Sequence, residues 1–173
     1  MKRVVLIGCT VLFYAFASTV TAQKFALIDM EYILKNIPQY EMANEQLNQL
    51  SERWQGEVDK LLQEAQTMYK NFQSEMVFLS AEMKSKREEE IVNKERAAQD
   101  LKRKYFGAEG ELFKRRELLM KPITDEVYEA CKAICAEKGY DVILDRGSAM
   151  SIIYASPRID VSNEVLLKMG YGK

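Results

Sequence analysis

The sequence predicts an α+β fold in which a small β-containing body carries one long antiparallel α-helical hairpin of the coiled-coil type. Residues 40–121 contain no proline, and their apolar residues recur every three or four positions, which is the period of an α-helix. Short apolar runs typical of buried strands lie near both ends of the chain, so both ends are expected to build the body. The two halves of the helical region carry net charges of opposite sign, which favours their antiparallel pairing.

Residues 1–22 have the features of a secretory signal peptide. Lys2 and Arg3 form a basic start, an apolar run follows, and small residues precede an expected cleavage site after Ala22. A retained membrane anchor is the alternative, but the apolar run is short for a span and lacks a charged flank on its C-terminal side. We expect cleavage and export, which remove both basic residues and change the net charge from −1 to −3.

The N-terminal part of the body is predicted over residues 23–39. Phe25–Ile28 is a fully apolar run, as expected for a buried strand. Asp29 can cap a short helix after it, because a carboxylate accepts hydrogen bonds from the free N–H groups of a first helical turn. Pro38 is expected to end that helix, since the residue before a proline avoids the α region.

The C-terminal part of the body is predicted over residues 122–173. Residues 140–145 and 150–155 have the composition of two strands, and the turn residues 146–149 between them predict a β-hairpin. A short helix is expected at the end of the chain. Three short strands would leave exposed edges and a thin core, which favours oligomerisation.

The arm is predicted over residues 40–121, with its tip near residues 80–84. The stretch 41–82 holds eight acidic and three basic residues, whereas 84–117 holds eleven basic and eight acidic residues. Folding back at the tip would lay an acidic helix along a basic one and cover the narrow apolar stripe of each. A single unbroken rod is the alternative, but its stripe would lack a partner. Ser80 is the expected N-cap of the second helix.

Glycine and proline residues interrupt the second half of the helical pattern. Gly107 and Gly110 each lower helix stability by about 1 kcal/mol relative to alanine, so they are expected to mark a flexible joint or a close helix contact. Pro122 is expected to kink the helix where the arm enters the body. Gly139 is expected to end that helix.

The composition argues against an enzyme or a metalloprotein. The chain contains no histidine, which removes the usual general base, the usual zinc ligand and the usual activator of a nucleophilic serine or cysteine. No phosphate-binding glycine loop is present, and the negative mature charge argues against a nucleic-acid partner. We therefore predict no catalytic, cofactor-binding or metal-binding residue.

Cys131 and Cys135 are the two cysteines left after cleavage, and they lie one helical turn apart. An oxidising compartment permits a disulfide between them. However, the i,i+4 geometry within a helix strains such a bond, and closing so short a loop adds little stability. Two small apolar residues that face the core are the favoured interpretation.

The order of five segments resembles that of the OmpH family. The resemblance covers the whole mature chain, and it is most specific near both ends, since the arms alone would match many coiled coils. The segments are DMEYIL…IPQY at 29–40, YFGAEGEL at 105–112, KPI at 121–123, GYDVILD at 139–145 and YASP…D at 154–160.

The resemblance implies a homotrimer in which strands from three chains share one β-body and three hairpins surround a central cavity. It implies an ATP-independent holdase chaperone of the periplasm, which holds unfolded outer-membrane β-barrel proteins in that cavity. The shared body is then expected to contain Phe25, Leu27, Val142, Leu144, Ile152 and Tyr154. The arm residues expected to contact the client, or else to pack the two helices together, are Met68, Phe72, Met76, Phe78 and Phe106.

One departure from the family and one alternative function stay open. The best-known member of the family is strongly basic, whereas the mature chain here is mildly acidic. Only weak contact with a membrane surface or lipopolysaccharide is therefore expected, through the basic second helix of the arm. The alternative function is that of a structural or adaptor coiled-coil protein of the cell envelope, which binds one folded partner through its helices.

Overall fold

The computed structural model describes residues 23–148 and 152–172, and the predicted α+β fold class is confirmed. The predicted signal peptide, residues 1–22, lies outside the described residues. Single 3₁₀ turns lie at Met76–Phe78 and Pro157–Ile159. The elements in chain order are strand β1 (Phe25–Ile28), helices α1 (Met30–Lys35), α2 (Pro38–Glu75), α3 (Ala81–Phe106) and α4 (Glu111–Lys138), strand β2 (Val142–Asp145) and helix α5 (Ser162–Lys168).

Strands β1 and β2 form a parallel two-stranded sheet in which Phe25 pairs with Val142. The two strands come from opposite ends of the chain, which confirms the prediction of a body built from both ends. The second edge of β1 is also occupied, because the Leu27 carbonyl accepts a 2.8 Å hydrogen bond from the Val161 N–H group. The N-terminal strand therefore lies between two segments from the C-terminal part of the chain.

The β-hairpin predicted near the C-terminal end is wrong. Residues 142–145 form β2, but 152–155 form no strand, and residues 149–151 lie outside the described residues. A strand at 152–155 would gain ladder hydrogen bonds, but Ile153 is 100% and Tyr154 is 84% exposed. The described part of the chain offers these side chains nothing to pack against, and a short strand without packing is not stable.

The core of the body lies between the sheet and helices α1, α2, α4 and α5. One face of β1 contributes Ala26 and Ile28, as the alternation of side chains along a strand requires. Ile33, Val127 and Val165 are fully inaccessible and come from α1, α4 and α5 respectively. The other buried members of this cluster are Ile37, Ala43, Ile123, Ala130, Ile134, Val161 and Leu166.

Most of the predicted helix boundaries are confirmed by their capping geometry. Asp29 caps α1 by accepting a 2.9 Å hydrogen bond from the Tyr32 N–H group, and Ser80 caps α3 by accepting one from Met83. Gly139 ends α4 with φ 68°, a left-handed conformation that glycine adopts without strain. Pro38 does more than end the short helix, because it is also the first residue of α2.

Helices α2 and α3 lie side by side as a long antiparallel hairpin. Its turn is made by the 3₁₀ turn at 76–78 and the extended residue Leu79. The second half of the hairpin is interrupted at 107–110, where α3 ends. Helix α4 then leads back into the body. Pro122 lies inside α4 and the helix continues on both sides of it.

Candidate polypeptide-binding arms

A regular apolar seam holds the two helices of the arm together. On α2, Val58, Ala65 and Phe72 are buried at seven-residue spacing, and on α3 Ile91 and Ala98 repeat that spacing. A seven-residue repeat brings side chains back to nearly the same face of a helix, as in a coiled coil. We call these five residues the seam. Because the rest of each helix is mostly polar, this seam is the main apolar contact of the arm.

Three contacts across the arm fix the register of the two helices. The rings of Trp54 and Tyr105 stack with centroids 4.7 Å apart. The Tyr105 hydroxyl donates a 2.6 Å hydrogen bond to Glu57, and the Lys94 ammonium donates a 2.9 Å bond to Glu64. In sequence, the midpoints of these three pairs fall between residues 79 and 81, which is where the chain turns back.

The charged side chains of the arm form few ion pairs between its two helices. Among the described residues, Lys94–Glu64 is the one ion pair that joins α2 to α3. Its hydrogen bond lowers the pKa of Glu64, and the bond that Glu57 accepts raises the pKa of Tyr105. Both sites are solvent-accessible, so water screens these interactions and each contributes little to stability. The opposite net charges of the two helices therefore favour the correct pairing more than they stabilise it.

The break in the second helix is a close backbone contact. Gly110 is buried, and a Cβ atom there would lie 2.7 Å from the Tyr105 carbonyl oxygen and 2.8 Å from the Gly107 nitrogen. A Cβ atom on Gly107 would lie 2.4 Å from the Arg103 carbonyl oxygen. The close atoms belong to residues 103–107 of the same segment, so these distances show a tight local turn. Neither a flexible joint nor a close contact with another helix, the two roles the sequence allowed, is tested by them.

The five predicted client-contacting residues do not share one environment. Phe72 belongs to the seam and is only 7% exposed, so it cannot reach a client while the two helices of the arm are paired. Met68 and Phe106 are half-buried. Met76 is partly exposed, and Phe78 is 88% exposed at the tip. The predicted list therefore mixes residues that pack the arm with residues that are free to bind.

Sequence reasoning missed Val77, which is 82% exposed beside Phe78. Both lie in the 3₁₀ turn that closes the hairpin. Two neighbouring apolar residues in such a turn cannot both point into a two-helix seam, and this signal was available in the sequence. Together they make the end of the arm an exposed apolar patch.

Four of the six predicted body residues lie on one face of the sheet. Phe25, Leu27, Val142 and Leu144 alternate with the residues that enter the core, so they share the opposite face. Leu27 is buried, whereas the other three are about half-exposed in the single chain. The last two predicted residues, Ile152 and Tyr154, lie outside the sheet, as half-buried and exposed side chains respectively.

An arginine clamp that the sequence did not reveal ties the two ends of the chain together. The Arg146 guanidinium lies 2.6 Å from an Asp29 oxygen and 3.3 Å from an Asp160 oxygen. The Tyr32 N–H group and Arg146 both bond the Asp29 carboxylate and lower its pKa. Asp29 lies 117 positions from Arg146, so no local pattern could have predicted that contact.

Two features are absent from residues 23–148 and 152–172, namely a metal-type cluster of side chains and a helix suited to a bilayer. Within 23–148 and 152–172, no histidine, cysteine and carboxylate side chains gather as a metal site would require. No described helix combines the length and apolar character needed to cross a bilayer. Cys131 and Cys135 are free and half-buried, and burial raises the pKa of the Cys131 thiol. A raised pKa keeps that thiol protonated and unreactive.

Comparisons with known proteins agree with this arrangement. A sequence model of the family described as outer membrane protein (OmpH-like) matches residues 24–169. The chain is 25% identical over 153 residues to the chaperone protein Skp of Yersinia enterocolitica, covering 88% of this chain and 89% of that one. It is 23% identical over 164 residues to the chaperone protein Skp of Pectobacterium atrosepticum, covering 92% and 93%.

A solved structure shares the fold. The crystal structure of a candidate OmpH-like outer membrane chaperone from Caulobacter crescentus superposes with a TM-score of 0.68 at 11% identity, over 86% of this chain and 85% of that one. At this identity the likeness concerns the fold alone. The family assignment rests on the match to residues 24–169, which covers most of the sequence. The chain therefore belongs to the OmpH family, which is a family of chaperones and not of enzymes.

Proposed function

We propose that the exported chain is an ATP-independent holdase of the periplasm that binds unfolded outer-membrane β-barrel proteins and prevents their aggregation. The observation that carries this proposal is the arm itself. It extends far beyond the core of the body, and its end presents Val77 and Phe78 to solvent. Soluble proteins rarely expose adjacent large apolar side chains unless those side chains bind something.

The proposed clients fit the chemistry of such an arm. An unfolded barrel protein exposes many short apolar segments, each of which can contact an exposed side chain weakly. Many weak contacts hold a polypeptide without ordering it, so the entropy lost on binding stays small. Release then needs no nucleotide hydrolysis, because each contact opens readily by itself.

The proposed active assembly is a homotrimer built on the sheet. Phe25, Val142 and Leu144 form an apolar face that is about half-exposed in one chain. The free edge of β2 and the exposed residues Ile153 and Tyr154 lie in the same body. Packing these surfaces between three copies would bury them and would place three arms around one space.

The proposal also includes the start and the surface of the chain. Cleavage after Ala22 would deliver a mature chain that begins just before β1. The second helix of the arm has a net positive charge within a chain that is acidic overall. Contact with lipopolysaccharide or a membrane surface would therefore be weak and would decrease steeply with added salt.

A dilution experiment tests the holdase function against the adaptor alternative. An outer-membrane barrel protein unfolded in urea is diluted into buffer with and without the mature chain, and light scattering reports aggregation. Suppression at about one trimer per client supports the holdase. Unchanged scattering at that ratio, together with capture of a folded envelope protein, would favour the adaptor.

A further inference from the structure

Gln23 is the residue that cleavage after Ala22 would make the first of the mature chain. It is exposed, it precedes β1, and it forms no hydrogen bond with any other described residue. Its side-chain amide is therefore free to fold back on its own main chain. An N-terminal glutamine can react with itself in this way, because its α-amine and its side-chain amide carbon can close a small lactam ring.

Lys24, the next residue, is held at both of its backbone groups. Its N–H group donates a 2.9 Å hydrogen bond to the Asp141 carboxylate, and its carbonyl oxygen accepts a 2.7 Å bond from the Asp141 N–H group. The Lys24 ammonium also donates to the Lys138 carbonyl oxygen at the end of α4, over 3.3 Å. The backbone is thus anchored at Lys24, and Gln23 projects from this anchor into solvent.

We propose that Gln23 is a modification site and that the mature chain begins with pyroglutamate. This inference rests on the proposed cleavage after Ala22 and goes further, because it specifies the chemistry of the new terminus. The α-amine attacks the side-chain amide carbon, so an N–C bond forms in the ring and the C–N bond of the amide breaks. One proton moves from the α-amine to the departing nitrogen, which leaves as ammonia. The step therefore consumes no oxidant, nucleotide or metal.

The contacts around Lys24 allow both the reaction and its product. α-Amino groups lose their proton nearer neutral pH than lysine side chains do, so an unprotonated nucleophile is available. The new ring contains only atoms of Gln23, whose carbonyl carbon remains joined to the Lys24 nitrogen. The Lys24 N–H group keeps its proton and can still bond Asp141. Ring closure therefore removes none of the hydrogen bonds that anchor the start of the body.

A closed ring would protect the strand on which the body depends. Strand β1 begins at Phe25, close behind Gln23, and lies between β2 and the segment at 160–161. Ala26 and Ile28 of this strand belong to the buried cluster. Proteolysis concentrates at chain ends, and aminopeptidases recognise a free α-ammonium group. A lactam lacks that group, so stepwise trimming toward β1 would not begin.

Intact-mass spectrometry of the full-length chain expressed in exporting cells tests the proposal. We expect a mass about 17 Da below that of residues 23–173, which is the loss of one ammonia molecule. Spectra recorded at harvest and again after storage separate ring closure in the cell from ring closure during handling. The matched control is Gln23→Ala, which keeps a small residue after the cleavage site but has no side-chain amide. Its mass should equal that of its own uncyclised sequence.

Aminopeptidase digestion gives an independent readout of the same terminus. The protein as isolated should keep its mass, whereas the Gln23→Ala protein should lose its first residue. Prior treatment with a pyroglutamyl peptidase should remove the ring and make the unchanged chain susceptible. Circular dichroism and solution mass check that both proteins are folded and assembled alike. Equal resistance of the two proteins would overturn the protective role of the ring.

The possible masses separate this inference from the proposals on which it rests. A terminus with an uncyclised Gln23 at harvest, or one that loses ammonia only during storage, would overturn the modification while cleavage after Ala22 stands. A mass that includes residues 1–22, or that starts at another residue, would overturn the proposed cleavage and this inference with it. The holdase function is tested separately by the dilution experiment, in which the Gln23→Ala protein should suppress aggregation as well as the unchanged protein does.

Discussion

Phe72 and Phe78 lie only six residues apart in sequence, yet Phe72 is buried in the seam and Phe78 is almost fully exposed. Both residues are phenylalanines, so their positions in the fold alone decide which one packs the arm and which one is free to bind a partner. The seven-residue repeat places Phe72 beside the second helix, whereas the 3₁₀ turn places Phe78 beyond the end of both helices. Whether an aromatic residue of the arm packs or binds therefore depends on whether it lies in the seam or outside it.

This difference predicts opposite outcomes for two alanine substitutions. Phe72→Ala removes a buried ring and is expected to lower the free energy of unfolding by about 2–4 kcal/mol. Phe78→Ala should change it by less than about 0.5 kcal/mol, but should weaken binding of an unfolded client. Urea unfolding followed by circular dichroism measures the first effect. Equal stability losses in both variants would contradict the assignment of Phe72 to the seam.

The clamp around Arg146 predicts how stability depends on pH. The Tyr32 N–H group and Arg146 lower the pKa of Asp29 below its usual 3.8. A carboxyl whose pKa is lower in the folded state stabilises the fold above its unfolded pKa, and this stabilisation is lost as the pH falls through the folded pKa. Stability should therefore fall as the pH drops below about 4.

Asp145 acts in the same direction as Asp29. Burial alone would raise the pKa of Asp145, but the Met30 and Gly147 N–H groups bond its carboxylate and lower the pKa overall. Asp29→Asn keeps a good N-cap and removes the charge, so it isolates the contribution of Asp29. Thermal unfolding between pH 3 and 7 should show a shallower acid decline in this variant. Parallel curves for both proteins would exclude Asp29 as a source of the pH dependence.

The helices and strands differ in how far the sequence determines them. The hairpin could be predicted because a helical repeat is local, and the caps Asp29 and Ser80 could be predicted because each bonds an N–H group three residues ahead. The strand-like composition of residues 152–155 gave a wrong prediction, since a strand also depends on partners that lie elsewhere in the structure. The helix break at 107–110 was visible as two glycines, but their close backbone contact depends on the path of the returning chain.

Two glycine substitutions in the arm, one at the break at 107–110 and one within α2, are expected to have opposite effects on stability. Gly110→Ala would place a Cβ atom within 2.9 Å of three backbone atoms, so it should destabilise the arm by about 1–3 kcal/mol. Gly56→Ala meets nothing within 4 Å in the middle of α2 and should stabilise the chain by about 0.5–1 kcal/mol. Thermal unfolding compares them. An unchanged melting temperature of the Gly110→Ala protein would show that the backbone at 107–110 can rearrange with little loss of stability.

Taken as a molecule, the chain separates stability from binding. The buried cluster of the body and the clamp at Arg146 join both ends of the chain. The arm has a thin seam and an apolar tip, so most of its surface is free to contact a partner. The sequence predicted this separation, because the body segments near both ends are rich in apolar residues and the helical arm is mostly polar.

The mass of the purified complex in solution tests the proposed function most directly. The mature chain is mixed with a urea-diluted outer-membrane barrel protein and analysed by size-exclusion chromatography with light scattering. We expect a mass of three chains without client, a mass of three chains plus one client in the complex, and a client that a protease still cleaves readily. A monomer that forms no complex, or a client that aggregates beside a free trimer, would contradict the proposal.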